Sequence, residues 1–356
     1  ANRGTKEYFR EIRTVYDEFL KNGWFVGGDN ACYVIYRQIS PTNSFTGIVA
    51  LLDLPKCEEG ALLTHELTLK KRENLFSDYL ECVGFHAEPI LCARPSNHPG
   101  ESELNRCISE VVNSREADCD FSTTDYIRHS VWHVIPELNP SLTEALSPLN
   151  KLYLADGHHR LASSIKLRHR HPNEPGVDRI LAMILPAKEM NILGYHRQLD
   201  GYRGNLAELI VKINGLKSVI KVEEISTDES RVQKQGCIDV LNDGKSFRIF
   251  IEEDETGLRT DAGWLSENVL KDVLEISDPR NDPKLKYIPG NTDTDLTKYS
   301  KEKIIFALHP TPIDQIIAVS DAGKTLPPKS TWVEPKLRSG LFIYEFGMHP
   351  HPTKSQ

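Results

Sequence analysis

Between residues 5 and 22 the apolar positions Tyr8, Phe9, Ile12, Val15, Tyr16, Phe19 and Leu20 recur at three- and four-residue steps. That spacing lines one face of an α-helix, and Gly23 stops it. Two runs of strand character follow, Ala31–Ile39 and Phe45–Leu54, joined by a polar Ser-Pro-Thr-Asn turn. Helical spacing returns over Leu67–Val83 (Leu75, Tyr79, Leu80, Val83) and, after the Pro/Gly/Asn loop 94–100, over a segment carrying Leu104, Ile108, Val111 and Val112. Pro89–Ala93, Tyr126–Ile135, Leu152–Leu154, Arg179–Leu185 and Ile192–Leu199 predict strands, and Leu161–Leu167 predicts a helix.

The pattern changes after Gly204. Leu206–Ile213 (helix), Val219–Ile225 (strand), Arg231–Leu241 (helix), Phe247–Glu252 (strand) and Trp264–Ile276 (helix) alternate. Asp278–Asp295 has the composition of a long surface loop. Ile304–Leu308 and Gly340–Phe346 predict strands on either side of a helix at Ile313–Ala322, and His349–Gln356 reads as a tail. The alternation predicts a mixed α/β protein of two parts. A larger core covers 1–200 and a smaller α/β domain covers 201–356, whose last strand returns to the core.

Composition narrows the classes. The 356 residues hold 43 Lys and Arg against 51 Asp and Glu, a net charge of −8, with 39% hydrophobic and 26% charged residues. An acidic chain is a poor general partner for nucleic acid or an anionic membrane surface. No apolar run approaches the roughly 18 residues of a spanning helix. The first residues carry no apolar signal region. The seven scattered cysteines lack any C-x-x-C pair, which favours a reducing cytoplasm over a disulfide scaffold. The chain also lacks the G-x-x-x-x-G-K, G-x-G-x-x-G and G-x-S-x-G patterns, which argues against the common nucleotide folds and the α/β-hydrolases.

Four segments carry candidate chemistry. Ala155-Asp156-Gly157-His158-His159-Arg160 joins a strand to a helix. A glycine there lets the backbone approach a ligand, and the N–H groups at the helix start, with Arg160, suit phosphate oxygens. Asp156 is a candidate Mg²⁺ ligand or histidine partner. The second segment, Thr64-His65-Glu66-Leu67-Thr68, supplies Glu66 as a general base and His65 and Thr68 as ligand contacts. Leu69 stands where a zinc protease needs its second histidine. The third is His129-Ser130-Val131-Trp132-His133. On a strand its histidines stand roughly 13 Å apart, too far for one ion, and Trp132 is a candidate pocket floor. The fourth, Pro327-Pro328-Lys329-Ser330-Thr331-Trp332 with Lys336, is a stiff loop offering two lysines and two hydroxyls.

Together these blocks resemble a large bacterial and archaeal family catalogued as a domain of unknown function. The resemblance rests on Phe45–Ala50, on Thr64–Thr68 with Lys70, Arg72 and Glu73, and on Leu152–Arg160 with Ala162 and Ser163. It continues through Tyr195-His196-Arg197 to Leu326–Trp332, Pro335-Lys336 and Ser339-Gly340-Leu341. Family members carry a leading segment with a Pro-Tyr-Asp-Val-like stretch ahead of the first helix here, and many have Asn at the position of His196. The Asp-Gly-His-His-Arg block is also similar to the phosphate turn of the ParB/sulfiredoxin-like fold, a turn that it shares with free-serine kinases.

The resemblance implies a cytoplasmic small-molecule kinase that takes ATP or ADP with Mg²⁺ and phosphorylates a free amino acid, serine. It implies nucleotide contacts at Gly157, His158, His159 and Arg160, and catalytic roles for Glu66, Asp156, His158 and His159. Substrate contacts are expected at His65, Thr68, Trp132, His196, Arg197, Lys329, Ser330, Thr331 and Lys336. Two other readings stay open: a hydrolase holding Zn²⁺ or Mn²⁺ with His65, Glu66, His158 and His159, and a nucleotide-binding regulator without catalysis.

Overall fold

A computed structural model describes residues 3–25, 27, 32–226, 232, 234–290 and 295–347. The expected tail at His349–Gln356, the start of the first strand at Ala31 and the start of the expected helix at Arg231 lie outside the described residues. The chain forms two compact units. One comprises residues 1–64, 68–190 and 335–356, and the other residues 65–67 and 191–334. The second unit thus takes in the strand Asn191–Asp200, ten residues before the expected boundary, because among the described residues that strand pairs with strands of its own unit.

The first unit is built on an eight-stranded mixed sheet. Its strands are β1 (Val34–Ile39), β2 (Ser44–Asp53), β3 (Leu62–Leu63), β5 (Ile90–Arg94), β6 (Cys119–Ser122), β7 (Arg128–His133), β8 (Leu152–Asp156) and β9 (Arg179–Pro186), in the order β3-β8-β5-β9-β2-β1-β7-β6. A short strand, β4 (Phe85–His86), pairs instead with Tyr344–Glu345. The interior strands β5 and β9 read as nearly unbroken apolar runs because both of their faces are covered. On one face Ile90, Cys92, Leu154 and Ile184 bury against Leu161. On the other, Ile35, Ile48 and Trp132 bury against Leu104 and Val111 of α4 (Glu101–Ser114) and Leu142 of α5 (Asn139–Leu146). Four further helices are α1 (Lys6–Lys21), the single turn α2 (Leu54–Lys56), α3 (Lys70–Val83) and α6 (His158–Arg170). Polar ties hold α6 to α3: Arg170 to Asp78 at 2.6 Å and His171 to Glu81 at 3.1 Å.

The second unit is an antiparallel sheet in the order β11-β13-β12-β15-β10-β14, with β16 pairing a separate stretch of β10. Its strands are β10 (Asn191–Asp200), β11 (Val219–Ile225), β12 (Cys237–Asn242), β13 (Lys245–Ile251), β14 (Leu285–Gly290), β15 (Lys303–Leu308) and β16 (Trp332–Glu334). Its helices are α7 (Leu206–Asn214), α8 (Asp261–Trp264), which runs on into wider turns over Leu265–Lys271, and α9 (Ile313–Asp321).

Two expectations are corrected in this unit. Of the helix expected over Arg231–Leu241, the residues from Cys237 on form strand β12, which lies between β13 and β15 and is buried at five of six positions. With both faces covered it lacks the alternation that marks a strand. The long loop expected over Asp278–Asp295 contains β14. Pro289 is tolerated there because β14 is the outermost strand of its path. At the C-terminal end, the strand expected over Gly340–Phe346 shortens to Tyr344–Glu345.

Candidate functional site

The expected site residues divide between the two units, and each group has its own geometry. In the first unit, β8 ends at Asp156 and α6 begins at His158. Gly157 turns the chain with φ 104°, a left-handed conformation that costs any residue with a Cβ. A Cβ there would also stand 2.7 Å from Ile90 Cγ2 and 3.1 Å from Arg160 Nε. Glycine is therefore required twice, for the turn and for the close approach. Because Gly157 has no side chain, no side chain caps the start of α6.

The charged groups at this corner are arranged as a chain. Arg160 pairs with Glu88 through Nη1 and with Asp156 Oδ2 at 2.9 Å through Nη2. Asp156 Oδ1 pairs with Lys336 Nζ at 3.0 Å, and Glu88 Oε2 accepts the Ser339 hydroxyl at 2.7 Å. Burial pushes the Asp156 carboxyl up, but Lys336 and Arg160 together outweigh it and hold the group below the usual carboxylate range. His158 is buried and His159 half-buried behind Asp156. The expected phosphate contact, Arg160, is thus already ion-paired in this structure. Its guanidinium is occupied by two carboxylates, and an anion must displace them.

The expected Mg²⁺ at Asp156 does not fit this donor set, since each carboxylate oxygen already faces a cation. Among the described residues no group of three His, Cys, Asp or Glu side chains is placed to hold a metal ion.

In the second unit, His65 and Glu66 lie beside Leu326. The Leu326 N–H donates to the His65 carbonyl at 2.7 Å, and Glu66 forms a parallel bridge with Leu326. Both residues precede the helix, which starts only at Lys70. Arg197 of β10 is 1% exposed and carries no carboxylate partner among the described residues. Its guanidinium instead donates to three backbone carbonyls, Tyr195 at 2.6 Å, Lys329 at 3.1 Å and Pro328 at 3.3 Å, and lies 4.7 Å over the Tyr287 ring. Burial pushes this guanidinium down to about 10, so it stays charged at neutral pH.

Arg197 thus acts as a clamp on the Pro327–Thr331 loop. Ser330 helps by donating its hydroxyl to the Pro327 carbonyl at 2.7 Å. At the loop's apex Lys329 adopts φ 59°, strained for a residue with a Cβ. Its exposed ammonium sits 5.7 Å over the Tyr195 ring with no ion-pair partner among the described residues. Thr331 is half-buried beside it in the chain.

The remaining candidates have other placements. Burial pushes the His196 imidazole down to about 4, and its Nδ1 accepts the Leu308 N–H at 3.1 Å, which ties β10 to β15. Thr68, in the first unit, donates its hydroxyl to Glu73 at 2.5 Å at the start of α3. Trp132 is 5% exposed within the core beneath α4 and α5. Glu88 and Ser339 belong to the corner and were not foreseen. They lie 68 residues before and 183 residues after Asp156, and Ser339 entered the sequence reading only as part of the family resemblance.

The chain belongs to the family described as protein of unknown function DUF1015, whose model matches residues 1–274. No curated protein matches it significantly. Among solved structures it is similar to a free serine kinase mutant in complex with ADP, at 16% identity and a TM-score of 0.44 over 82% of this chain and 91% of that one. It is also similar to a C-terminally truncated SbnI from Staphylococcus aureus, at 12% identity and 0.44 over 80% and 82%. A conserved hypothetical protein from Pyrococcus furiosus matches at 15% identity and 0.41 over 82% and 94%. No helix among the described residues is long and apolar enough to cross a membrane.

Proposed function

We propose that this protein is a small-molecule phosphotransferase, built on a ParB/sulfiredoxin-like core, that moves a phosphoryl group from ATP or ADP to the hydroxyl of a free amino acid, serine. The observation that carries the reading is the Gly157 corner. A left-handed glycine with no room for a Cβ opens an uncapped helix beside Arg160 and Lys336, and such a helix start favours an anion. In this reading the nucleotide's terminal phosphate takes over Arg160 and Lys336 from their carboxylates. His158 and His159 stand at the first turn to steady charge as the phosphoryl group moves.

In the transfer, the bond from the terminal phosphorus to its bridging oxygen breaks and a bond to the serine Oγ forms. The hydroxyl proton passes to Glu66, assigned here as the base. Lys329, held out on a strained apex, is assigned to the substrate carboxylate. No step runs through a metal at Asp156.

The test is phosphorus NMR of the purified chain with ATP or ADP and serine. The reading expects phosphoserine, loss of nucleotide binding in Arg160→Ala, and retained binding with turnover reduced at least a hundredfold in Glu66→Gln. A second reading is nucleotide binding without catalysis. It predicts saturable ADP binding and no phosphorylated product.

A further inference from the structure

A separate pocket of about 380 Å³ opens in the first unit among β1, β6, β7 and the segment after α4. Its position follows from the sheet. Ile35 and Arg37 share one face of β1, and their partners on β7 are Trp132 and Ser130. Ile35 and Trp132 lie beneath α4 and α5. Arg37 comes one step further along the strand, where α4 has already ended at Ser114 and Arg115–Ala117 continue as wall. In the strand order β8-β5-β9-β2-β1, four steps separate this place from the Gly157 corner, about 19 Å at the usual strand spacing.

The charges lining the pocket do not cancel one another. Arg115 is satisfied by Asp118 at 2.5 and 3.0 Å, and Arg128 by Asp120 at 2.8 and 2.6 Å. Arg37 is different. It donates Nε to the Thr46 hydroxyl at 2.9 Å and lies 5.6 Å over the Trp132 ring, which orients the rest of its fork. Among the described residues no ion pair engages Arg37, and none engages Glu116, which also lines the pocket. One cation and one anion therefore remain uncommitted, with the apolar surface of Trp132, Ile39 and Ala117 beside them.

We propose that this pocket binds a free α-amino acid as a zwitterion. Its carboxylate meets the Arg37 fork, its ammonium meets Glu116, and a small apolar side chain lies against Trp132. A planar guanidinium suits a carboxylate bidentately, and the volume suits a small molecule. A simple anion answers Arg37 but leaves Glu116 unmatched. The inference does not rest on the phosphotransferase reading, because the site is remote from Gly157 and its readout is binding alone.

The test screens the intact chain by thermal shift against the twenty standard amino acids, with acetate, methylammonium and inorganic phosphate as controls, and follows the strongest by calorimetry. At least one amino acid should raise the melting temperature saturably, and acetate and methylammonium should not. Arg37→Gln and Glu116→Gln should each weaken its binding about tenfold or more. Glu116 is exposed, so its variant keeps the fold. The proposal is overturned by silence from every amino acid up to roughly 10 mM. It is equally overturned by phosphate or acetate binding that needs Arg37 and ignores Glu116, or by amino-acid binding lost in Lys336→Ala and kept in Glu116→Gln, which would place the ligand at the corner.

Discussion

Arg160 and Arg197 are the same residue type in the two expected site segments, and the two units use them in opposite ways. Arg160 is part of a half-exposed chain of alternating charges, Glu88–Arg160–Asp156–Lys336. Arg197 is sealed, donates to carbonyl oxygens and lies against an aromatic ring, with the Glu66 carboxylate acting on it from further off. The first arrangement can exchange partners, because its charged groups all reach solvent. The second is fixed, because three carbonyls of two segments depend on one donor fork. On the proposed reading, the comparison separates a group that exchanges partners with a ligand from a group that fixes the shape of its own loop.

Removing each arginine tests that difference most strongly. Arg197→Met leaves the Tyr195, Pro328 and Lys329 carbonyls without their donor, and should cost about 4 kcal/mol of stability. Arg160→Met leaves Glu88 and Asp156 partly solvated and still served by Ser339 and Lys336, and should cost about 1 kcal/mol. Urea denaturation of both variants settles the order. Equal losses would mean that the corner is as structural as the clamp.

Acid should separate the units next. His86 in the first unit is pushed down to about 4 by burial, and His98 and His129 shift the same way. A depressed imidazole contributes stability above its unfolded value near 6.5 and loses it as pH falls toward 4, roughly 2 kcal/mol for His86 at pH 4.5. Among the described residues of the first unit, Glu189, raised by burial, opposes this. In the second unit His196 behaves like His86, but Asp261, raised to about 6 by burial, and Asp239, also raised, act in the reverse sense over much of the same range. These acids bind protons in the folded state first, so their effect offsets the histidine. Hydrogen exchange of the intact chain at pH 7 and pH 4.5 should therefore show protection falling further in β5 and β9 than in β12 and β15. A larger loss in β12 and β15 would refute the assignment.

What the sequence revealed follows the same division between local and distant causes. Periodicity exposed α1, α3, α4 and α9 because each has one wet face, and the Asp156–Arg160 turn was legible because its residues are adjacent. Glu88 and Ser339, which complete the corner, reach it only through the fold. Lys336 was legible as a cation, but its commitment to Asp156 was not. β12 was misread as helix because a strand covered on both sides loses its period of two. The clamp role of Arg197 was invisible for a related reason. Backbone carbonyls carry no residue identity, so a site made of them leaves no motif.

Lys329 gives the finest division between shaping a loop and meeting a ligand. Its φ of 59° is a backbone cost borne by a residue with a Cβ, and its ammonium has no ion-pair partner among the described residues. A Lys329→Gly substitution relieves the strain while deleting the charge. If the residue only shapes the loop, the variant should be more stable by about 0.5 kcal/mol and otherwise unaltered. If the ammonium meets the substrate carboxylate, the same stabilised variant should show a KM for serine raised roughly tenfold with kcat little changed, the signature of lost uniform binding. Lys329→Asn tolerates the same left-handed backbone without the charge and should match glycine in KM. A glycine variant with unaltered KM would return Lys329 to the scaffold and leave substrate capture to the residues around it.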